Sequence, residues 1–293
     1  MINLQIPHAT TVSALRARIK SWREDGLTVG FVPTMGSLHD GHLSLVRLAK
    51  AQSDRVVASI FVNPAQFAEG EDFDTYPRDM LSDAEKLATA QCDLIYLPER
   101  EAMYPGGFAS KIEMTGPALG LESESRPHFF SGVATVVAKL FNQVRPDVAV
   151  FGEKDYQQLL VIRQLVRDLD FPIDIIAGET GRDRDGLALS SRNAYLSEAD
   201  RKRAAALPKI LKALADALSA GGDVQTALAT ARDTAEAAFD GVDYITVRKA
   251  ADLAETEPGP LRETGRILAA IRLGDTRLID NLAALPFKGP NPG

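Results

Sequence analysis

Cysteine is almost absent from this sequence of 293 residues, in which Cys92 is the only one. An internal disulfide and a cysteine-based zinc cluster are therefore excluded. A lone cysteine between a helix and a strand is usually a small core residue. We expect Cys92 to be buried and to have no nucleophilic role.

Long apolar runs and an excess of basic residues are also missing. No apolar stretch approaches the roughly 20 residues that a membrane-spanning helix needs, and the first ten residues lack the pattern of a signal peptide. The formal net charge of −7 disfavours a protein that coats nucleic acid, because non-specific phosphate binding needs a basic surface. We expect a cytoplasmic protein without nucleic-acid or membrane partners, which handles anions in a local basic pocket.

The composition that remains is ordinary for a globular protein, with 45% hydrophobic and 25% charged residues. Apolar strands alternate with helical patterns over the first two-thirds of the chain, which predicts an α/β fold. Its Rossmann-like parallel sheet would have helices on both faces and occupy residues 1–180. The predicted strands are Thr28–Val32, Arg55–Val62, Leu94–Leu97, Val148–Phe151 and Ile173–Ala177. The predicted helices are Val12–Asp25, Leu43–Ala51, Ser82–Ala90, Val133–Val144 and Tyr156–Asp168.

The pattern changes after about residue 180. Ser197 and Asp200 resemble a capping box at the start of a helix that Pro208 would bend or restart, and an alanine-rich helix follows. Helices followed by strands predict a smaller α+β domain over residues 181–293. The tail 286–293 is rich in proline and glycine, and we expect it to be frayed. The second helix and the three strands are predicted at Val224–Phe239, Tyr244–Val247, Ile267–Leu273 and Leu278–Asp280.

The segment PTMGSLHDGH, residues Pro33–His42, joins a strand to a helix. A loop there exposes unpaired backbone N–H groups at a helix N-terminus, which attract phosphate oxygens, and His39 and His42 add donors. The spacing of Gly36 and Gly41 is that of a Walker A loop, but the Lys-Ser/Thr pair that should follow is missing. The two histidines could ligate zinc, but no HExxH pattern accompanies them. A phosphate-binding loop is the interpretation that these residues favour.

Neutral amides follow the next strand, in FVNPAQF. Pro64 ends the strand and leaves Asn63 and Gln66 at its carboxyl edge. Because amides both donate and accept hydrogen bonds, they could hold a hydroxy acid. An ordinary Asn-Pro turn is the alternative interpretation of the same residues.

Two later segments carry cations. In FGEKDYQQ a glycine follows a strand and opens a helix, and Lys154 in the predicted first helical turn could neutralise phosphate charge. Gln158 lies one turn further and can face the same cleft. In LALSSRN, residues Leu187–Asn193, two hydroxyl groups and Arg192 could form a phosphate clamp, since arginine binds phosphate through two hydrogen bonds.

In their order and spacing these segments resemble the pantothenate synthetase family, the pantoate–β-alanine ligases of the HIGH-type nucleotidyl-transferase superfamily. The matching text is PTMGSLHDGH, FVNPAQF with EDFDTYPR, FGEKDYQQL, LALSSRN and LGDTRLIDN, from about Val29 to Asn281. The resemblance implies that ATP activates pantoate as pantoyl adenylate, which β-alanine then converts to pantothenate with release of AMP. It also implies Mg²⁺ bound mainly through the phosphates, and a homodimer.

The resemblance assigns roles to single residues. The loop at Leu187–Asn193 would act as a mobile KMSKS-like loop does in related synthetases, so that residues 181–293 form a lid. Gln66 and Gln158 would hold pantoate, with Asn63 assisting. The implied catalytic residues are His42, His39, Lys154, Ser190 and Arg192. The implied ATP-binding residues are Met35, Gly36, Ser37, Leu38, His39, Asp40, Gly41, His42, Gly152, Glu153, Lys154, Asp155, Gly181, Leu189, Ser190, Ser191 and Arg192.

The sequence departs from the family pattern at two points. The family usually has Arg-Pro-x-His-Phe, whereas here His128 stands one position early. Many relatives carry paired acids near magnesium where this chain has Ser82 and Asp83, so Asp83 is the candidate for a protein contact to the metal.

Two other functions are compatible with the fold. One is an adenylyltransferase of the same superfamily, which would leave the nucleotide on its product; the pair of Gln66 and Gln158 favours a small polar acid instead. The other is a nucleotide-binding sensor without catalysis, which the intact set of His39, His42, Lys154 and Arg192 disfavours.

Overall fold

The computed structural model of the protein describes residues 4, 6–67, 73, 76 and 78–289. The chain divides into two compact units. Unit 1 comprises Met1–Glu153 and Gln157–Glu179, and unit 2 comprises Lys154–Tyr156 and Thr180–Gly293. Much of the EDFDTYPR segment and the last four residues of the tail lie outside the described residues. The fraying of the tail therefore stays a prediction, and the domain boundary at 180/181 stays one as well.

Unit 1 is a parallel α/β layer structure. Its six strands have the order β1-β4-β3-β2-β5-β6, and every pairing is parallel. The α/β fold with a parallel sheet is thus confirmed. The strands are β1 (His8–Ala9), β2 (Val29–Thr34), β3 (Arg55–Ile60), β4 (Leu94–Tyr96), β5 (Val148–Gly152) and β6 (Asp174–Gly178). The helices are α1 (Val12–Glu24), α2 (Asp40–Gln52), α3 (Met80–Thr89), α4 (Arg100–Met103), α5 (Glu122–Ser125), α6 (Phe129–Val144) and α7 (Tyr156–Asp168).

Alternate side chains of β2 show that helices cover both faces of the sheet. Val32 packs into one core with residues of α2 such as Val46. Phe31, its neighbour in the strand, meets Phe141 of α6 edge-on, with 6.4 Å between ring centroids. Because successive strand residues point to opposite faces, α2 and α6 lie on opposite sides. Phe31 and Val32 are both fully buried, as a strand covered on both faces requires.

The structure differs from the sequence prediction at several boundaries. β2 continues to Thr34, two residues further than predicted, and α6 begins at Phe129 instead of Val133. β1 was not predicted, because a strand of two residues is too short to show alternation. Lys154 does not lie in a helical turn of α7; it belongs to a 3₁₀ turn, Glu153–Asp155, that precedes the helix.

Unit 2 is the predicted small α+β structure. Its three strands form an antiparallel sheet in the order β7-β8-β9, and α9 and α10 pack on one face around Leu207, Leu211 and Ile267. The helix restarts at Ala206, so that Pro208 falls in the first turn of α9, where proline is tolerated. The elements are α8 (Glu198–Ala204), α9 (Ala206–Ser219), α10 (Val224–Ala238), β7 (Gly241–Lys249), β8 (Gly265–Leu273) and β9 (Thr276–Ala284). Within the described residues, no helix combines the length and apolar character needed to cross a membrane.

Candidate active site

The predicted phosphate-binding loop lies at the carboxyl end of β2, a central strand of unit 1. Residues 35–38 form the turn, His39 precedes the helix, and α2 begins at Asp40. Gly36 and Ser37 both have positive φ angles, of 85° and 52°. Gly36 adopts this left-handed conformation without strain, because glycine has no Cβ. The N–H of His42 already donates to the carbonyl of His39 at 2.8 Å, but the N–H groups of Asp40 and Gly41 have no acceptor within the helix. A helix N-terminus of this kind suits an anion.

Asp83 of α3 clamps this loop. Its Oδ2 accepts the backbone N–H of Ser37 at 2.9 Å, and its Oδ1 accepts that of Leu38 at 2.8 Å. Lys86 donates from Nζ to the carbonyl of Leu38 at 2.7 Å. A Cβ on Gly36 would lie 3.0 Å from Asp83 Oδ2, so the clamp requires the close backbone approach that glycine allows. Asp83 is only 2% exposed, and this burial raises the pKa of its carboxyl group against the effect of the two hydrogen bonds.

Asp83 is also the residue for which the family resemblance implies contact with magnesium. Both of its oxygens are engaged by the loop, and within the described residues no group of three or more His, Cys, Asp or Glu side chains could hold a metal ion. A closed protein site for Mg²⁺, which prefers several oxygen ligands in octahedral geometry, does not fit these residues. A contact between Asp83 and the metal stays a prediction.

The two histidines of the loop lie side by side. The backbone N–H of His39 donates to Nδ1 of His42 at 3.4 Å, and the ring centroids are 4.1 Å apart. Because Nδ1 of His42 accepts a hydrogen bond, the proton of the neutral imidazole sits on Nε2. His42 can therefore donate a hydrogen bond from Nε2 to a phosphate oxygen.

Asn63, after β3, is a structural amide in this fold. It is fully buried; its Oδ1 accepts from the Tyr104 hydroxyl at 2.8 Å and from the Ala65 N–H at 3.3 Å. Its Nδ2 donates to the carbonyl of Gly132 in α6 at 3.2 Å. These bonds fix the 3₁₀ turn Pro64–Gln66, so Asn63 can assist a substrate by positioning Gln66. Its direct contact with a substrate stays a prediction.

Gln66 and Gln158 differ from Asn63 in that their side chains make no hydrogen bond within the described part of the chain, and both are half-buried. Gln66 follows β3, and Gln158 lies in the first turn of α7, after β5. β3 and β5 flank β2 in a parallel sheet, so both amides stand at the same carboxyl edge as the histidine loop. The neighbouring Gln157 differs from Gln158, because its side chain forms hydrogen bonds with the backbone of residues 117–122.

Unit 2 holds the predicted cationic residues. Nζ of Lys154 is 3.6 Å from Oδ1 of Asp155. The backbone carbonyl of Lys154 accepts a hydrogen bond from Nδ2 of Asn281 at 2.7 Å. The loop from Gly181 turns back on itself, with the N–H of Leu189 donating to the Gly181 carbonyl at 2.8 Å.

The Ser190–Arg192 segment follows this loop. Ser190 caps the 3₁₀ turn Ser191–Tyr195 by accepting from the Arg192 N–H at 3.3 Å. The backbone of the Leu187–Asn193 segment therefore bonds both within the segment and to Gly181 and Asp183; its mobility stays a prediction. Asn193 contributes through Nδ2, which donates to the Ala188 carbonyl at 3.0 Å.

Unit 1 thus brings together, at one sheet edge, the predicted residues 35–42, Asn63, Gln66, Gly152, Glu153 and Gln158. Unit 2 separately contains the remaining set, which is Lys154, Asp155, Gly181, Leu189, Ser190, Ser191 and Arg192. His128 is exposed at the position before α6.

Sequence reasoning missed three side chains that organise these segments. They are Tyr104, which holds Asn63, and Arg182 and Asp280, which form an ion pair in unit 2 with 2.7 Å between Nη1 and Oδ2. Asp280 gave a signal, since it is a carboxylate that directly follows Leu278 and Ile279 in the predicted strand of the LGDTRLIDN segment.

Comparison with known proteins supports the fold and identifies the family. A family model described as pantoate-beta-alanine ligase matches residues 8–283. A pantothenate synthetase of Maricaulis maris is 70% identical over 98% of this chain and 99% of its own length, and that of Caulobacter vibrioides is 54% identical over 93% and 96%. The solved pantothenate synthetase of Thermus thermophilus has a TM-score of 0.88, with 44% identity, 96% of this chain and 100% of its own covered. The pantoate-β-alanine ligase of Francisella tularensis, complexed with beta-gamma ATP and β-alanine, has a TM-score of 0.78 at 35% identity, with 94% and 97% covered.

The fold, the loops and the similar proteins together define the class of protein. This protein is an enzyme, a ligase, built on a parallel α/β sheet with a small antiparallel α+β unit. Within that class, the chain belongs to the pantoate–β-alanine ligase family.

Proposed function

We propose that the protein condenses pantoate with β-alanine to give pantothenate, while ATP is converted to AMP and pyrophosphate. The observation that carries this proposal is the set of groups that lie at the carboxyl edge of the parallel sheet in unit 1. There β2 leads to the N-terminus of α2, which has His42 in its first turn. The flanking strands β3 and β5 are followed by the turn that carries Gln66 and by the helix that carries Gln158. A helix N-terminus suits a phosphate, and two neutral amides with no partner among the described residues suit the hydroxyl and carboxylate groups of a small acid.

The reaction proceeds in two steps. A carboxylate oxygen of pantoate attacks the α-phosphorus of ATP, and the bond from that phosphorus to pyrophosphate breaks. The amine of β-alanine then attacks the acyl carbon of the adenylate, AMP leaves, and the amine loses a proton. No covalent nucleophile of the protein is needed, because the carboxylate is itself the nucleophile. Catalysis therefore depends on positioning and on stabilising the charge that moves to the leaving group.

The proposed roles of single residues follow from this chemistry. Residues 35–42 lie along ATP, and Nε2 of His42 donates to a phosphate oxygen as pyrophosphate departs. His39 sets the orientation of His42 through its backbone N–H. Lys154, Ser190 and Arg192 add donors for the phosphates, and Gly181 serves the adenine through its backbone.

Gln66 and Gln158 hold pantoate, and Asn63 maintains the turn that carries Gln66. Magnesium enters with ATP as part of the substrate, bound through the phosphates. A mixed anhydride hydrolyses readily, so the site must exclude water. We assign this shielding to residues 181–293, acting as a lid. From the family resemblance we further propose that the protein is a cytoplasmic homodimer. Analytical ultracentrifugation would test the dimer.

Pantoate-dependent exchange between ATP and labelled pyrophosphate, in the absence of β-alanine, tests the function. The proposal predicts exchange that needs pantoate, and rapid AMP release once β-alanine is added. His42→Ala and Lys154→Ala should abolish exchange while ATP still binds. The controls His8→Ala and Lys20→Ala change exposed residues of the same types and should exchange normally. An adenylyltransferase or a sensor would show no exchange with pantoate, and near-normal exchange in the His42 and Lys154 variants would overturn their assigned roles.

A further inference from the structure

Two neighbouring residues of β9 connect both predicted phosphate-binding segments of unit 2. Asp280 and Asn281 are 2% and 3% exposed, although both are polar and lie in the middle of a strand. Successive strand residues point to opposite faces of a sheet, so this dipeptide can engage one segment on each side.

Asp280 points to the face that α9 and α10 cover, and it binds Arg182 through two hydrogen bonds. Nη1 and Nη2 of Arg182 donate to its Oδ2 and Oδ1 at 2.7 and 2.9 Å. Nη1 of Arg182 also donates to the carbonyl of Gly186 at 3.0 Å, and Nη2 to that of Asn281 at 3.2 Å. The ion pair therefore ties both ends of the loop 182–186, which leads directly to Ser190–Arg192, to β9. A paired arginine–carboxylate contact of this kind is geometrically specific.

Asn281 points to the other face and holds the backbone of Lys154. Its Nδ2 donates to the Lys154 carbonyl at 2.7 Å, while its Oδ1 accepts from Nε of Arg266 at 2.6 Å. An arginine can only donate and a carbonyl can only accept, so the orientation of this amide is fixed by its two partners. Arg266 also covers the ring of Tyr156, with 4.0 Å from its Cζ to the ring centroid. The segment 154–156 is thus anchored at its first and its last residue.

We propose that Asp280 and Asn281 are positioning residues of the nucleotide site, which act through Lys154 and through the loop that precedes Arg192. This inference rests on the proposed function. Neither residue needs to touch substrate, because each acts on backbone that carries a cationic side chain. One dipeptide on a rigid strand therefore sets where two separate cations of unit 2 stand.

Asn281→Asp is the most selective test. It keeps the oxygen that accepts from Arg266 but replaces the donor to the Lys154 carbonyl by a second oxygen, which repels that carbonyl. We expect kcat/KM for ATP to fall by about tenfold to a hundredfold, with the KM for pantoate changed less than about twofold. Asp280→Asn, which weakens the bond to Arg182, should give the same split between the two substrates.

Asp243→Asn is the matched control. Asp243 lies on β7 of the same sheet and pairs with Arg272 and Arg277 at 3.0 and 2.7 Å. Among the described residues, these two ion pairs do not include residues 154–156 or 182–192. The substitution should leave both KM values unchanged. If Asp280→Asn fails to fold, as judged by circular dichroism, the Asn281→Asp result decides alone.

Equilibrium binding of ATP in a double variant checks the route of the effect. In a Lys154→Ala background, Asn281→Asp should weaken ATP binding by less than about twofold, since no ammonium group remains to be positioned. Equal effects with and without Lys154, or ATP kinetics of Asn281→Asp that match the Asp243→Asn control, would overturn the inference. Absence of pantoate-dependent exchange in the unaltered enzyme would instead overturn the proposed function.

Discussion

The substitution Gly132→Ala should displace Gln66 without touching the histidine loop. A Cβ at position 132 would lie 2.2 Å from the carbonyl oxygen and 2.7 Å from the carbonyl carbon of Ala65, and 3.3 Å from the backbone nitrogen of Gln66. Ordinary contact begins at 3.4 Å, so α6 and the turn must separate by about 1.2 Å. The atoms in the way are backbone, which cannot rotate aside as a side chain would.

The magnitude follows from this displacement. Overpacking of this kind costs about 1–3 kcal/mol, and the higher helix propensity of alanine offsets about 1 kcal/mol of it. A net loss near 1 kcal/mol should lower Tm by roughly 2–4 °C. A shift of about 1 Å in a substrate-binding group can cost about a hundredfold in rate. We therefore expect kcat/KM for pantoate to fall by about that factor, while the KM for ATP changes little.

The assay is AMP release at varied pantoate with saturating ATP and β-alanine, together with thermal melting followed by circular dichroism. Gly106→Ala is the matched control, because a Cβ at that position meets nothing within 4 Å; it should keep both the kinetics and the Tm of the unaltered enzyme. Pantoate kinetics of Gly132→Ala equal to those of Gly106→Ala would refute the argument that α6 sets the position of Gln66.

Three further predictions concern the side chains that surround the site. Asp83→Asn presents an amide N–H₂ to a backbone N–H of the loop, so the KM for ATP should rise by about tenfold. If the magnesium concentration required at saturating ATP rises as well, Asp83 binds the metal in addition to holding the loop. Tyr104→Phe removes the hydroxyl that donates to Asn63, and it should weaken pantoate use more than ATP use in the same kinetic assay. Burial raises the pKa of the Cys92 thiol from 9.0 to about 12. At pH 8 iodoacetamide should therefore modify the native protein at least about a thousandfold more slowly than the denatured one, and comparable rates would show that the thiol is accessible and ionised.

The parts of the site that lie in loops after strands were predictable from the sequence. A glycine after an apolar run and before a helical pattern marks such a loop locally, as in the segments around Gly36 and Gly152. The parallel sheet then determines that loops after β2, β3 and β5 meet at one edge. The three strands of unit 2 were located correctly as well, although each is longer in the structure, because the predicted ranges covered only their apolar centres.

The partners of the site residues were not predictable, because they depend on contacts between distant parts of the chain. Nothing near Asp83 in the sequence indicates that its carboxylate accepts N–H groups from Ser37 and Leu38. Asn63 illustrates the same limit, since an Asn-Pro pair after a strand fits both a substrate amide and a structural one. Its burial and its hydrogen bond with Tyr104, which show a structural role, depend on the folded chain and not on the neighbouring sequence.

The central claim is that the carboxylate of pantoate attacks the α-phosphorus of ATP. Pantoate labelled with ¹⁸O in its carboxylate tests this claim most directly, with the AMP and pyrophosphate from a complete reaction analysed by mass spectrometry. The attacking oxygen stays on phosphorus when β-alanine displaces AMP from the acyl carbon, so one ¹⁸O atom should appear in AMP and none in pyrophosphate. AMP without label, or label in a phosphate released from the terminal position of ATP, would contradict the account.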